Sequence, residues 1–236
     1  MSPTRIALVG MGKMGRALEQ LAPERGCEVV ARIDHGDTIT SDSLGGAQVA
    51  IEFTTPESAV PNVTALVEAG CPVVVGTTGW YAELPTVAQR VAERQGALLW
   101  ASNFSVGVNL FLEIAARAGA LMHGAQGFDA HIVETHHAAK KDAPSGTAGS
   151  LERAVAKTLG RDVPITSVRT GSVPGTHELL FDAPFETIRL EHVARDRRVF
   201  AEGALAAARW LVGRRGVFTM RDVLAAPAAQ TGASPT

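Results

Sequence analysis

The sequence predicts a doubly wound parallel α/β sheet with a second, smaller α+β domain. Three observations predict it. Short apolar runs alternate with helical patterns over roughly the first hundred residues, the mark of right-handed β-α-β crossovers. A glycine turn, Gly10-Met11-Gly12-Lys13-Met14-Gly15, separates the first apolar run from the first helical pattern. After Asn103 the alternation stops, and strand-like runs follow one another with fewer helices between them.

Ile6-Ala7-Leu8-Val9 reads as a buried strand, and Met14, Ala17, Leu18 and Leu21 then recur at helical spacing until Pro23 and Gly26 stop the helix. Val29 to Ile33 is a second strand, closed by Asp34, and Val49 to Phe53 a third. Pro56-Glu57-Ser58 has the character of a helix start. Val73 to Val75 is a fourth strand, Leu84 to Glu93 a helix, and Ala97 to Trp100 a fifth strand. In the second half, Leu110 to Met122 is an apolar helix and Ala130 to Thr135 a strand. Thr147 to Leu159 is a helix with Ala148, Leu151, Val155 and Leu159 on one face. Ile165 to Arg169, His177 to Phe181 and Glu186 to His192 are strands. In the last of them, Ile188 and Leu190 alternate with Thr187, Arg189 and Glu191, as in a sheet buried on one face. A helix around Leu205 to Val212 and a short C-terminal segment follow. The Ala/Pro/Ser-rich tail from Ala225 to Thr236 is expected to be disordered. There are no internal repeats.

A chain of 236 residues, 46% hydrophobic, buries a real core as one large or two modest domains. A formal net charge of −2 gives nucleic acid and anionic membranes no general attraction, so neither is an expected partner. The 2 cysteines, Cys27 and Cys71, stand in no metal or redox spacing, which points to a reducing cytoplasm. The first apolar run is too short for a signal peptide or a membrane span.

Strand, G-x-G-x-x-G, helix is the context that a dinucleotide-binding, Rossmann-type fingerprint requires. Gly10 permits the tight turn, Gly12 lets the backbone approach a pyrophosphate, and Gly15 lets the helix pack close to the sheet. The helix N-terminus offers free N–H groups and partial positive charge to phosphates. Lys13, Met11 and Met14 complete the turn. Asp34, at the end of the second strand, stands where an acidic group accepts hydrogen bonds from the adenosine ribose. Its charge opposes a 2′-phosphate, so the cofactor is NADH or NADPH with a lean toward NADH; Lys13 and His35 lie near enough to soften that lean. Gly76-Thr77-Thr78-Gly79 and Ala101-Ser102-Asn103-Phe104 follow the fourth and fifth strands. They are expected to border the cofactor, because ligands bind beyond the carboxyl ends of such strands. Ordinary polar connections would look the same.

The stretch from Glu134 to Ala148, E-T-H-H-A-A-K-K-D-A-P-S-G-T-A, carries the chemistry. Histidine gives or takes a proton near neutral pH. Lys140 lies far enough beyond His136 for a compact loop to bring the two together. Pro144-Ser145-Gly146-Thr147 has the character of a helix entry whose hydroxyls and N–H groups hold a carboxylate. A proton donor, a cation and an anion nest in one loop suit an anionic substrate that is protonated during reaction. Each piece also has a plain structural use: a solvated histidine, a charge run, a helix cap. His131, His136 and His137 come with no His-Glu-x-x-His or Cys/His ligand set, so no metal is expected.

These residues resemble the 4-hydroxy-tetrahydrodipicolinate reductase (dihydrodipicolinate reductase) family of bacterial and plant lysine biosynthesis. The resemblance runs through V-G-M-G-K-M-G-R at Val9 to Arg16, E-F-T-T-P-E at Glu52 to Glu57, V-V-G-T-T-G at Val74 to Gly79 and A-S-N-F-S-V-G-V-N at Ala101 to Asn109. It is most specific in the loop just described, and continues through F-A-E-G-A at Phe200 to Ala204 and M-R-D-V-L at Met220 to Leu224. It implies NAD(P)H-dependent reduction of 4-hydroxy-tetrahydrodipicolinate to tetrahydrodipicolinate in the diaminopimelate and lysine pathway. It implies His136 as the general acid, assisted by Lys140, with His137, Ser145, Gly146, Thr147 and Arg197 holding a small dicarboxylate substrate. It further implies a dinucleotide-binding domain at 1–104, a substrate-binding and oligomerisation domain at 105–204, and a segment at 205–236 returning to the first domain. Family members are commonly homotetramers built through the second-domain sheet. The glycine turn here is one residue shorter than in many members, and the segment at 160–176 is also short. Two other readings share the cofactor turn: a related NAD(P)-dependent imine or amino-acid dehydrogenase, which would lack the P-S-G-T loop, and a non-catalytic dinucleotide sensor, which would not need His136 and Lys140 together.

Overall fold

The structure, a computed structural model, describes residues 2–225; most of the tail whose disorder the sequence predicts lies outside the described residues. The chain divides into two compact units, one holding the chain up to Phe104 together with the segment from Phe200 onward, the other Ser105–Val199.

The first unit is built on a six-stranded sheet. Its strands are β1 (Thr4–Val9), β2 (Cys27–Ile33), β3 (Val49–Glu52), β4 (Val73–Val75), β5 (Ala97–Trp100) and β10 (Gly216–Phe218), in the order β10-β5-β4-β3-β1-β2. Every pairing is parallel. The strands of such a sheet are covered on both faces and read as unbroken apolar runs. Accordingly Ile6, Ala7 and Leu8, and Val49, Ala50 and Ile51, are all buried regardless of the face they point to. Helices α1 (Lys13–Leu21), α2 (Pro56–Glu68), α3 (Leu84–Glu93), α6 (Arg198–Leu211) and α7 (Met220–Ala225) accompany the sheet. On one face, Val63 and Leu66 of α2 and Val87 and Val91 of α3 pack with Val9, Ala50, Val73 and Leu98. The strand order reverses direction between β1 and β3, so the crevice where such folds take ligands lies beyond Val9 and Glu52.

The second unit has a four-stranded sheet ordered β7-β6-β8-β9, from β6 (Asp129–His136), β7 (Ile165–Arg169), β8 (Thr176–Ala183) and β9 (Glu186–Val193). β6 pairs parallel with β7 and antiparallel with β8, and β8 pairs antiparallel with β9. Helices α4 (Val106–Met122) and α5 (Gly146–Leu159) supply Phe111, Ala115, Leu151 and Val155 to a core completed by Ile132, Leu179 and Phe181. The two helices approach closely at Gly119, where a Cβ would lie 2.5 Å from Thr158 Oγ1.

The structure differs from the sequence reading at four places. The helix α4 begins at Val106, ahead of Leu110, because the Ser105 side chain accepts a hydrogen bond from Val108 N and caps it there. The helix α6 begins at Arg198, ahead of Leu205. The C-terminal segment contributes a sixth strand, β10, that pairs with β5. In β9 the expected alternation holds only in the second half, where Leu190 and His192 are half-buried between exposed neighbours, whereas Ile188 is 38% exposed.

Helix α6 lies so near the chain at Phe104 that a Cβ on Gly203 would fall 1.7 Å from the Phe104 carbonyl oxygen. Gly203→Ala is therefore expected to lower stability by about 1–3 kcal/mol through overpacking. Gly124→Ala, where nothing lies within 4 Å, should stay within about 0.5 kcal/mol of the parent. Thermal denaturation of the two variants side by side checks this, and equal midpoints would refute it.

Candidate active site

In the first unit the sequence-predicted residues gather at the carboxyl ends of the strands. Gly10 to Gly15 link β1 to α1, Asp34 follows β2, Gly76 to Thr78 follow β4, and Ala101 to Phe104 follow β5. The glycines there do different work. Gly10 has φ +94°, and a Cβ on it would fall 2.1 Å from the Phe53 carbonyl oxygen. A Cβ on Gly15 would meet the Gly10 oxygen at 2.1 Å, and one on Gly76 would enter the Phe53 ring. These three are required by the protein's own packing. Gly12 is different: nothing lies within 4 Å of where its Cβ would be, and as N-cap of α1 it makes no side-chain cap bond. It leaves an open cradle of N–H groups at a helix N-terminus, which fits a pyrophosphate.

Around the cradle, Met11 N donates to Asp34 Oδ1 at 3.4 Å. Asp34 N in turn donates to Asp37 Oδ2 at 2.9 Å, so a second carboxylate stands at this turn. Thr78 and Ser102 are exposed, Asn103 is half-buried, and Ala101 and Phe104 are buried. Thr77 is buried, its Oγ1 accepting from Thr54 N at 2.7 Å and its carbonyl accepting from Trp80 Nε1 at 2.8 Å, so its side chain joins two loops. Glu52 is a buried carboxylate at the end of β3 that accepts from the Thr54 hydroxyl and Asn62; burial pushes its pKa up against those bonds. Sequence reading missed Glu52 and Phe53, whose ring stands edge-on to Phe104 with centroids 5.9 Å apart.

In the second unit, Glu134 and His136 occupy alternate, core-facing positions at the end of β6. Glu134 is fully buried, and its carboxylate accepts from His136 Nδ1, from Arg169 Nη2 at 2.6 Å and from Ser145 N at 3.3 Å. Burial works to raise the Glu134 pKa, but hydrogen bonds from Arg169, Ser167 and His136 and the His136 charge outweigh it and hold the group at about 2. The His136 pKa is lowered, first by burial, with Lys140 and Arg169 acting the same way and Glu134 opposing.

Ser145 is the N-cap of α5, its Oγ accepting from Ala148 N at 3.1 Å. The same Oγ lies 3.2 Å from Nε2 of buried His177, whose pKa burial and the His136 charge push down to about 4. Gly146, with no neighbour near its missing Cβ, and Thr147 form the first turn of α5. Lys140 Nζ pairs with Asp142 at 2.7 Å, and Arg197 Nη2 lies 3.4 Å from His137 Nε2. Glu134, His136 and His177 bring potential ligand atoms within 4.8 Å of one another. The Arg169 guanidinium already sits on that carboxylate, so a further cation there would meet its charge.

Sequence reading missed Glu134 as a functional residue, along with Arg169 and His177. A carboxylate in step with Ala130 and Ile132 on a core-facing strand row was a legible signal for Glu134. Arg169 and His177 come to the site through the pairings His136↔Arg169 and Glu134↔His177, which no local spacing announces.

A doubly wound sheet with an open glycine cradle, accompanied by a buried carboxylate–imidazole pair at an anion-accepting helix, defines a nicotinamide-dinucleotide-dependent oxidoreductase. The models of the dihydrodipicolinate reductase N-terminus and C-terminus match residues 4–104 and 107–224. The chain belongs to the dihydrodipicolinate reductase family. It is 35% identical to the 4-hydroxy-tetrahydrodipicolinate reductase of Christiangramia forsetii, over 93% of this chain and 97% of that one. It is 37% identical to that of Thiobacillus denitrificans, over 93% and 98%. Among solved structures it resembles a dipicolinate-bound dihydrodipicolinate reductase from Paenisporosarcina sp. TG-14, with TM-score 0.78, 22% identity and coverage of 92% and 97%. That last likeness speaks for the fold. Among the described residues no helix is long and apolar enough to cross a membrane.

The glycine geometry yields a paired expectation. Gly12→Ala should fold normally, because it meets no protein atom, yet weaken dinucleotide binding about tenfold or more by crowding the phosphates. Gly10→Ala should instead fail at the level of folding. Fluorescence titration with NADH and thermal denaturation separate the two, and undiminished affinity in Gly12→Ala would exclude the cradle as the phosphate site.

Proposed function

We propose that the protein catalyses reduction of 4-hydroxy-tetrahydrodipicolinate to tetrahydrodipicolinate with NADH or NADPH, in the route to diaminopimelate and lysine. The observation that carries this reading is the His136 ring held on buried Glu134 beside the capped N-terminus of α5. A proton donor next to an anion cradle is what a dicarboxylate needs if it is to be protonated as it is reduced.

The first unit takes the dinucleotide, on Gly10 to Gly15, with Gly76, Thr77, Thr78 and Ala101 to Phe104 bordering it. Bound there, the cofactor supplies the hydride. The second unit takes the dicarboxylate. Ser145, Gly146 and Thr147 offer it hydroxyls and N–H groups, while His137, Lys140 and Arg197 offer donors and positive charge. Lys140 would exchange its bond to Asp142 for one to substrate. The substrate loses its 4-hydroxyl together with a proton from the neighbouring carbon as water; hydride then goes to the carbon that bore the hydroxyl, and His136, protonated on Nε2, gives its proton to the carbon next to it. Asp34 and its neighbour Asp37 would oppose a 2′-phosphate, which supports the lean toward NADH.

We further propose a cytoplasmic homotetramer assembled through the second-unit sheet. Free, buried Cys27 and Cys71 suit a reducing compartment. Val168 and Val193 support the assembly, being 37% and 53% exposed on one row across the sheet, through Thr135 and Thr176, on the face opposite the core.

Oxidation of NADH or NADPH, followed by absorbance with substrate generated from pyruvate and aspartate semialdehyde, tests the activity; a folded protein that turns over neither cofactor overturns it. His136→Gln is expected to lower kcat about 100-fold or more while leaving dinucleotide affinity intact. Unchanged turnover would remove His136 from the acid role. Asp34→Ala should weaken use of NADH more than NADPH, read as the ratio of kcat/KM values, and an unmoved ratio would refute the charge argument.

A further inference from the structure

A general acid must hold a proton when its substrate is in place. In the free protein His136 stands in surroundings that disfavour a charged ring. It is buried, with Arg169 from β7 and Lys140 from the following loop adding positive charge. Neutral His177 on β8 stands edge-on to it with ring centroids 5.2 Å apart, and His192 on β9 acts on His177. The negative groups are Glu134 on β6 and Asp142, the second already paired to Lys140.

The geometry leaves the ring one way to work. Nδ1 is committed to Glu134, so Nε2 is the remaining protonation site. Gly175 passes over that atom so closely that a Cβ would lie 3.0 Å from it, and the missing side chain keeps the approach clear. Glu134 is placed for more than structure. Arg169 and Ser145 N are on one oxygen, and the His136 ring is on the other.

We propose that Glu134 is a positioning residue that loads the acid: its carboxylate holds the His136 ring by Nδ1, so that Nε2 takes up a proton as the dianionic substrate settles among Lys140, Arg197 and the α5 N-terminus. This rests on the reading of His136 as the acid. The arriving dianion offsets the positive charge of Lys140 and Arg197, while Glu134 remains against the ring, and the local balance then favours imidazolium. The proton comes from solvent and goes to Nε2; no bond in the substrate changes at this stage. Binding and protonation are then linked, each strengthening the other by the same factor. The sign follows. Above the pKa of the free ring and below that of the loaded ring, dicarboxylate affinity falls about tenfold for each unit of rising pH. Without the negative charge of Glu134 the loading is lost. A glutamine in its place would offer an N–H to Nδ1 and favour the neutral ring with its proton on Nε2.

The test is titration calorimetry of pyridine-2,6-dicarboxylate into the NADH-bound protein at about pH 8, where a free histidine is uncharged. Two buffers of different ionisation enthalpy give the proton count. The parent is expected to take up about one proton per site, and Glu134→Gln and His136→Gln less than about 0.2, with Glu134→Gln still binding NADH. Binding by the parent without proton uptake, or full uptake in Glu134→Gln, overturns the proposal. If Glu134→Gln does not fold because Arg169 is stranded, Glu134→Gln with Arg169→Gln replaces it, and full uptake there overturns the proposal equally. A parent that binds no dicarboxylate and oxidises no NADH overturns the functional reading, and this proposal with it; binding without uptake in an active enzyme overturns this one alone.

Discussion

A carboxylate taken wholly out of water costs several kcal/mol unless other groups replace its hydration. Glu134 is such a group, and much of the second unit is arranged around it. Its partners come from three places: Arg169 from β7, Ser145 N from the start of α5, and His136 from its own strand two residues on. For these to converge, β6 must lie next to β7 in the observed register, and the loop after β6 must return to set the α5 N-terminus beside the strand end. Arg169 also donates to the Asp142 carbonyl at 2.6 Å, which ties the loop that carries Lys140 to the same centre. The pairing is mutual: removing either charge strands the other in a buried place.

The first unit solves a different problem with backbone rather than charge. Its turns approach one another so closely that side chains are excluded: Gly10 against Phe53, Gly15 against Gly10, Gly76 against the Phe53 ring. Together these hold the end of β1 against the end of β3, the place where the strand order reverses. Among the glycines of the turn after β1, Gly12 has open space where Gly10 and Gly15 have none, and the contrast distinguishes a glycine required by folding from one available to a ligand. Glu52 does in this unit part of what Glu134 does in the other, holding the Thr54 hydroxyl while Thr54 N holds Thr77. The outcomes differ because Glu52 has no cation against it. Its pKa is therefore pushed up by burial, whereas that of Glu134 is held down.

The first unit was largely legible in the sequence, because its strands are short apolar runs set between glycine, proline and aspartate. Helix α3 falls at Leu84–Glu93 as periodicity predicts. The strand β10 was not legible: Gly216-Val217-Phe218 is too short to stand out, and only its pairing with β5 makes it a strand. The starts of α4 and α6 were set too late because Gly107 and Asn109 interrupt the first turn of α4, and Glu202 and Gly203 interrupt α6, so the apolar repeat was read only from Leu110 and Leu205. In the site, His136 and the Ser145 helix entry were visible because their chemistry is local. Arg169 and His177 were hidden, because only the sheet register brings them within reach of Glu134.

The two units differ in how much they say about the reaction. A backbone cradle recognises phosphates through N–H groups that any residue supplies, so it fits many oxidoreductases and singles out none. Choice of substrate must therefore come from side chains, and those of the second unit fall into two kinds. Lys140, Arg197 and the α5 N-terminus supply positive character with water close at hand. Glu134 and His136 are buried, where charge interactions are strong and a proton's position is well defined. On the proposed role of His136, such surroundings resist charging of the ring while the site is empty, and the approach of a dianion would remove that resistance. The arrangement would then discriminate by charge as well as by shape: a neutral compound of similar size would reach the same groups and leave the ring without its proton.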